Sequence, residues 1–192
     1  IPKDLKQIQK LTGCVAALSR FISHLGEKAL PLYRLLRRTK HFEWTDAATA
    51  GLKDIKAILA TNPVLAPPNL GEPMLLYIAA THQVVSAVLV VERETEGHKF
   101  PLQKPVYYVS TVLTPCKSRY PHYQNIAYAV FMASRKLRHY FQECSITVAS
   151  EVPLNDIINN RDATGRIAKW AIELLPFDIT YKPRPAIKSQ VL

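Results

Sequence analysis

No stretch of this 192-residue chain is apolar for long enough to cross a bilayer, since a helical span needs roughly 20 such residues. The longest apolar run, Val84 to Val91, is interrupted by Ser86 and reads as a buried strand, so no membrane partner is expected. Cysteine is scarce: Cys14, Cys116 and Cys144 are odd in number and far apart. That argues against a disulfide framework and fits a reducing intracellular compartment, cytoplasmic or nuclear. No CxxC pair or clustered His/Cys spacing offers a zinc site, and the six histidines are scattered, so neither a metal nor any other cofactor is expected. A Gly-rich phosphate loop, a GxSxG elbow and an HExxH helix are also missing. Cys116 beside Lys117 and Cys144 beside Glu143 lack the neighbouring His of an activated thiol. There is no internal repeat, no low-complexity tract and no signal-peptide pattern. The chain starts without Met and stops at Ser-Gln-Val-Leu without a cap, so it reads as a segment of a longer polypeptide.

What is present is enough apolar residue, 48%, for a packed core, and the length suits one domain with an appended arm. The formal net charge of +10 is unevenly spread. Residues 1–40 carry nine Lys/Arg against Asp4 and Glu27. Such a block favours a polyanionic partner, because each neutralised phosphate releases condensed counterions; the plainer alternative is a solvated helix face.

Over residues 4–25 the apolar positions Leu5, Ile8, Leu11, Val15, Leu18, Ile22 and Leu25 recur every three or four, the period of a helix with one buried stripe. Gly13 inside this pattern suggests a break. A second helix is expected from about Glu27, since Pro31 suits a first turn, with Leu32, Leu35 and Leu36 inward and Arg34, Arg37 and Arg38 outward. Thr45 is a good N-cap for a third helix from Asp46 to Ala60. Asn62-Pro63 and Pro67-Pro68-Asn69 then mark a linker. Beyond Gly71 the texture turns to strands: Met74–Ala79, Val84–Val91 and Val106–Ser110. A long helix from Pro121 to Tyr140 follows, then a strand at Ser145–Ala149. Short helices near Leu154–Asn159 and Gly165–Leu175 lead to a last strand at Phe177–Tyr181. The order describes an α/β fold, a mixed five-stranded sheet in which a meander is extended by crossovers, preceded by a helical arm.

Several phrases carry a family likeness. They are Ile8-Gln9-Lys10-Leu11-Thr12-Gly13 with Ala17-Leu18-Ser19-Arg20-Phe21-Ile22, Phe42-Glu43-Trp44-Thr45 with Pro63-Val64-Leu65, and Val85-Ser86-Ala87-Val88-Leu89-Val90 with Pro105-Val106-Tyr107-Tyr108-Val109-Ser110. Arg119-Tyr120-Pro121 and Arg135-Lys136-Leu137-Arg138-His139-Tyr140-Phe141 follow, then Gly165-Arg166-Ile167-Ala168-Lys169-Trp170-Ala171 with Phe177-Asp178-Ile179-Thr180-Tyr181-Lys182-Pro183. In this order and spacing the chain resembles the polymerase polyprotein of gypsy-type LTR retrotransposons, particularly the plant lineages. The resemblance implies that residues 1–62 are the thumb-side end of a reverse transcriptase and residues 71–192 an RNase H-like region. The polymerase carboxylates would lie in palm and fingers upstream.

RNase H cleavage uses two metal ions held by carboxylates. Carried over from active relatives, the first ligand position is Ala79 and the second is Ile126, or Gln124 in a frame two residues earlier. The third is Ser150 or Glu151, depending on a one-residue register. The resemblance therefore implies a nuclease site without its ligands, and no catalytic residue is expected. It implies a connection module that helps position a template–primer duplex or RNA–DNA hybrid beside the remaining reverse transcriptase domains. Lys6, Lys10, Arg20, Arg34, Arg37 and Arg38 are the candidates for phosphate contacts. The alternatives are a retained protein-interaction module built on Tyr107, Tyr120, Tyr123 and Tyr128, and a weak nuclease built on Glu151.

Overall fold

The computed structural model describes residues 1–36, 42–61, 64–97, 100–160, 162 and 165–184. The arm begins with α1 (Leu5–Ala17). Asp4 caps it by accepting from Gln7 N at 2.8 Å, which satisfies a first-turn donor, and the Gln7 side chain accepts from Lys3 N, just before the cap, at 3.0 Å. The helix passes through Gly13 without a break and ends at Leu18. A glycine costs about 1 kcal/mol in a helix interior, and the burial of Ile8, Thr12 and Val15 on either side outweighs it. A single 3-10 turn (Ser19–Phe21) follows, then α2 (Leu25–Lys28) and α3 (Leu30–Arg34) with Pro31 in its first turn. The helix expected from Glu27 is thus two short pieces. α4 (Asp46–Ala60) starts where Thr45 Oγ1 accepts from Ala48 N at 3.2 Å. Ile8, Val15, Ile22, Leu25, Leu32 and Ile55 form one core of these helices.

Arm helices can pack this tightly because two side chains are absent. A Cβ on Gly51 would lie 2.4 Å from the Lys28 carbonyl oxygen. A Cβ on Gly26 would lie 2.6 Å from both Ser110 Oγ and Val84 Cγ1. The second approach is between the arm and the sheet.

The sheet contains β1 (Met74–Ala80), β2 (Val84–Arg93), β3 (Leu102–Val112), β4 (Ile146–Ser150) and β5 (Ile179–Pro183) in the order β3-β2-β1-β4-β5. The first three are antiparallel; β4 joins β1, and β5 joins β4, in parallel. β3 is longer than expected, and a bulge between Leu89 and Val90 shifts its register. The long helix is divided at Leu137, which leaves helical geometry at φ −114°, into α5 (His122–Lys136) and α6 (Arg138–Glu143). α7 (Leu154–Ile158) and α8 (Gly165–Leu174) make the crossover to β5. A second core, including Leu76, Ile78, Ala87, Leu89, Ile126, Val130 and Trp170, lies between one sheet face and α5 with α8. The arm lies against the other face, on β3 and β2, through α2 and the 3-10 turn. Among the described residues no helix is long and apolar enough to cross a membrane.

Candidate nucleic-acid interface

At 3.6 residues per turn, Lys6 and Lys10 stand about 160° round α1 from Ile8, on either side of the point opposite the buried stripe. Both are exposed, and neither makes an ion pair among the described residues. The local reason is amphipathicity: Ile8, Thr12 and Val15 turn one face into the arm core, which leaves the cations on the other.

Arg20 and Arg34 have other engagements. Arg20 sits 5.1 Å from the Phe21 ring centroid and 5.4 Å from that of Tyr107 in β3. Arg34 donates to Gln83 Oε1, in the β1–β2 turn, at 3.4 Å. Both therefore reach the sheet domain and help seat the arm. Arg37 and Arg38 lie outside the described residues. Of the four tyrosines weighed as an interface, Tyr128 is buried, Tyr107 and Tyr120 are half-buried, and only Tyr123 is exposed, at 41%.

The positions expected to hold nuclease carboxylates fall around the C-terminal ends of β1 and β4 and the first turns of α5, but they do not share one cradle. Ala79 pairs across β1–β2 with Ser86, whose hydroxyl is 3.0 Å from Ser110 Oγ beneath α2. Strand alternation puts Ala79 on that arm-side face, whereas Ile78 and Ala87 face α5. Ile126 is 1% exposed and packs in the core on the α5 side. Ser150 is buried and accepts from Val152 N at 3.1 Å. Glu151 is exposed and bonded to His122 Nε2 at 2.8 Å, tying the start of α5 to the end of β4. Divalent magnesium needs anionic oxygen ligands, and a methyl, a buried sec-butyl chain, a hydroxyl and one His-paired carboxylate do not fit a pair of such ions. Among the described residues no group of three His, Cys, Asp or Glu could hold a metal.

A basic and aromatic region outside the arm went unremarked in the sequence. Trp170 of α8 packs against Tyr120, Tyr128 and Phe131, with ring centroids 6.4, 5.6 and 5.8 Å away. Cations cap this cluster: Lys117 lies 4.3 Å over Tyr128 and donates to its hydroxyl at 2.7 Å, and Arg166 lies 4.3 Å over Tyr120. The three-residue spacing of Arg166 and Lys169 in a helix was the available signal.

Comparison with known proteins agrees with this geometry. The family described as RNase H-like domain found in reverse transcriptase matches residues 44–148. The Transposon Tf2-3 and Tf2-4 polyproteins of Schizosaccharomyces pombe are each 26% identical over 198 residues, covering 96% of this chain. The chain spans 14% of the length of those relatives. A foamy viral protease–reverse transcriptase in complex with RNA/DNA hybrid superposes with a TM-score of 0.74 at 20% identity, covering 98% of this chain and 26% of that one. The same enzyme in complex with dsDNA gives 0.74 at 20% identity over 99% and 40%. The mixed five-stranded sheet with flanking helices is thus the RNase H-like fold of that reverse transcriptase.

Proposed function

This chain belongs to the family of RNase H-like domains found in reverse transcriptase, and from that premise we propose that it is a non-catalytic connection segment of a gypsy-type retrotransposon polyprotein of the plant lineage. Residues 1–62 act as the thumb-side connector and residues 71–192 as the RNase H-like unit, in an intracellular particle or the nucleus. Its work is to hold a template–primer duplex or RNA–DNA hybrid in place for the remaining reverse transcriptase domains.

The observation that carries this reading is the pair Lys6 and Lys10, free on the face of α1 turned away from its core. Ammonium groups so placed meet phosphates without reading bases, so they position a duplex and leave its sequence unread. The foamy viral protease–reverse transcriptase is seen in complex with an RNA/DNA hybrid and with dsDNA, which supports the same ligand class here. The non-catalytic part of the proposal is supported by Ala79 and Ile126, side chains that supply no carboxylate, and by a third position, Ser150 or Glu151, that supplies at most one.

Hybrid binding measured between roughly 50 and 200 mM salt tests the reading: several phosphate contacts cost orders of magnitude in affinity over that span. An affinity independent of salt overturns the electrostatic account. A labelled hybrid left uncut in Mg²⁺ or Mn²⁺ supports the non-catalytic part, and cleavage that is lost in Glu151→Gln refutes it.

A further inference from the structure

Between the first turns of α5 and α8 lies a cleft of about 400 Å³ lined by Gln124, Gly165, Arg166 and Lys169. No residue of the arm lines it. Its polarity is one-sided. Arg166 and Lys169 are three apart on α8, and neither meets a carboxylate among the described residues. Glu173, further along α8, is engaged with Arg135 at 4.0 Å, and Glu151 with His122 at 2.8 Å.

Arg166 is also held still. Its guanidinium stacks over the Tyr120 ring, which itself packs against Trp170 in the core. A guanidinium lying on a ring keeps its N–H edge free for acceptors, and one pinned in this way loses less freedom on binding than a solvated cation. Across the cleft, Gln124 Oε1 is buried and has no hydrogen-bond partner. Its Nε2 makes only a 3.5 Å contact with the Tyr123 hydroxyl. Of the three polar side chains lining the cleft, two are cationic and the third is the neutral amide of Gln124. Such a set favours an anionic ligand rich in acceptors.

We propose that this cleft takes a phosphate group of a nucleic-acid strand, as a second anchoring point separate from Lys6 and Lys10. The identity of the strand rests on the nucleic-acid role argued above; the affinity of the cleft for a phosphate oxyanion does not.

The test has two arms on the whole chain. In the first, pyrophosphate is titrated at low salt while NMR follows the Gln124 side-chain amide and the Arg166 Nε–H. Both signals are expected to shift and saturate, and Arg166→Gln with Lys169→Gln weakens binding at least about tenfold, the effect of losing one strong charge-assisted contact. In the second, binding of an RNA–DNA hybrid is measured against salt. The same double variant lowers the log–log slope by about one, the loss of one neutralised phosphate. Unsaturated shifts, or equal affinity in the variant, overturn the cleft. Saturation by pyrophosphate with no hybrid binding keeps the cleft as a site for free phosphate and overturns the nucleic-acid reading. Hybrid binding whose slope ignores the variant keeps that reading and overturns the second anchor.

Discussion

The backbone N–H of Gly26 donates to Ser110 Oγ at 2.9 Å, a bond that joins the arm to the sheet at their tightest approach. Ser110 Oγ is also 3.0 Å from Ser86 Oγ, so a chain of hydroxyls runs from α2 across β3 to β2. Because no Cβ fits between Gly26 and the sheet, Gly26→Val is expected to cost about 1–3 kcal/mol through forced repacking. Ser110→Ala, which keeps the space and removes the acceptor, costs about 1 kcal/mol. Urea denaturation of both variants checks the order; equal and negligible losses mean the arm is not seated by this contact.

Lys6→Gln and Lys10→Gln are each expected to leave the melting temperature unchanged, since both side chains are exposed and unpaired among the described residues. Each lowers the salt dependence of hybrid binding by about one. Arg34→Gln changes binding less than either, because its guanidinium is directed to Gln83. Fluorescence anisotropy at several salt concentrations distinguishes the three.

Restoring carboxylates does not restore a nuclease. Ile126→Glu puts a charge into the core at a position 1% exposed, and an unpaired buried charge costs about 3 kcal/mol or more. Ala79→Asp is milder, on the opposite face of the sheet. The double variant is expected to melt early and leave a labelled hybrid intact in Mn²⁺; a stable variant that cleaves contradicts the placement of the two residues.

The ion pair of Glu72 and Arg93 makes acid stability asymmetric. Arg93 Nε and Nη2 meet the two Glu72 oxygens at 2.9 Å, Arg93 also reaches Pro67 O at 2.7 Å, and Asn69 N donates to the same carboxylate at 2.8 Å. Chiefly through Arg93, and then Asn69, the Glu72 carboxyl is held down to about 2, against an ordinary 4.5. A depressed folded pKa contributes stability that is complete above 4.5 and lost as the pH falls to about 2. Arg93→Gln should therefore flatten the decline of the melting temperature between those limits. Parallel curves for variant and parent contradict the assignment.

Much of this was legible in residue order. The apolar runs at Met74 and Val84 and the alternation over Phe177–Tyr181 marked strands, Thr45 marked the start of α4, and the Lys6–Lys10 spacing showed which side of α1 is turned out. The failures came where tertiary packing overrides local preference. Gly13 signalled a break that the burial of Ile8 and Val15 cancels, and no glycine or proline announces the divide at Leu137. Composition also could not tell that Arg20 and Arg34 turn toward Tyr107 and Gln83, because their partners are distant in sequence. The Gln124–Arg166 cleft escaped for the same reason: its walls are set by a parallel crossover, which local patterns do not encode.

The arm rests on β3 and β2, with Gly26 against Val84 and Ser110. A sheet face stripped of its cover invites association, so the sheet severed from residues 1–36 would be prone to stick to its own kind.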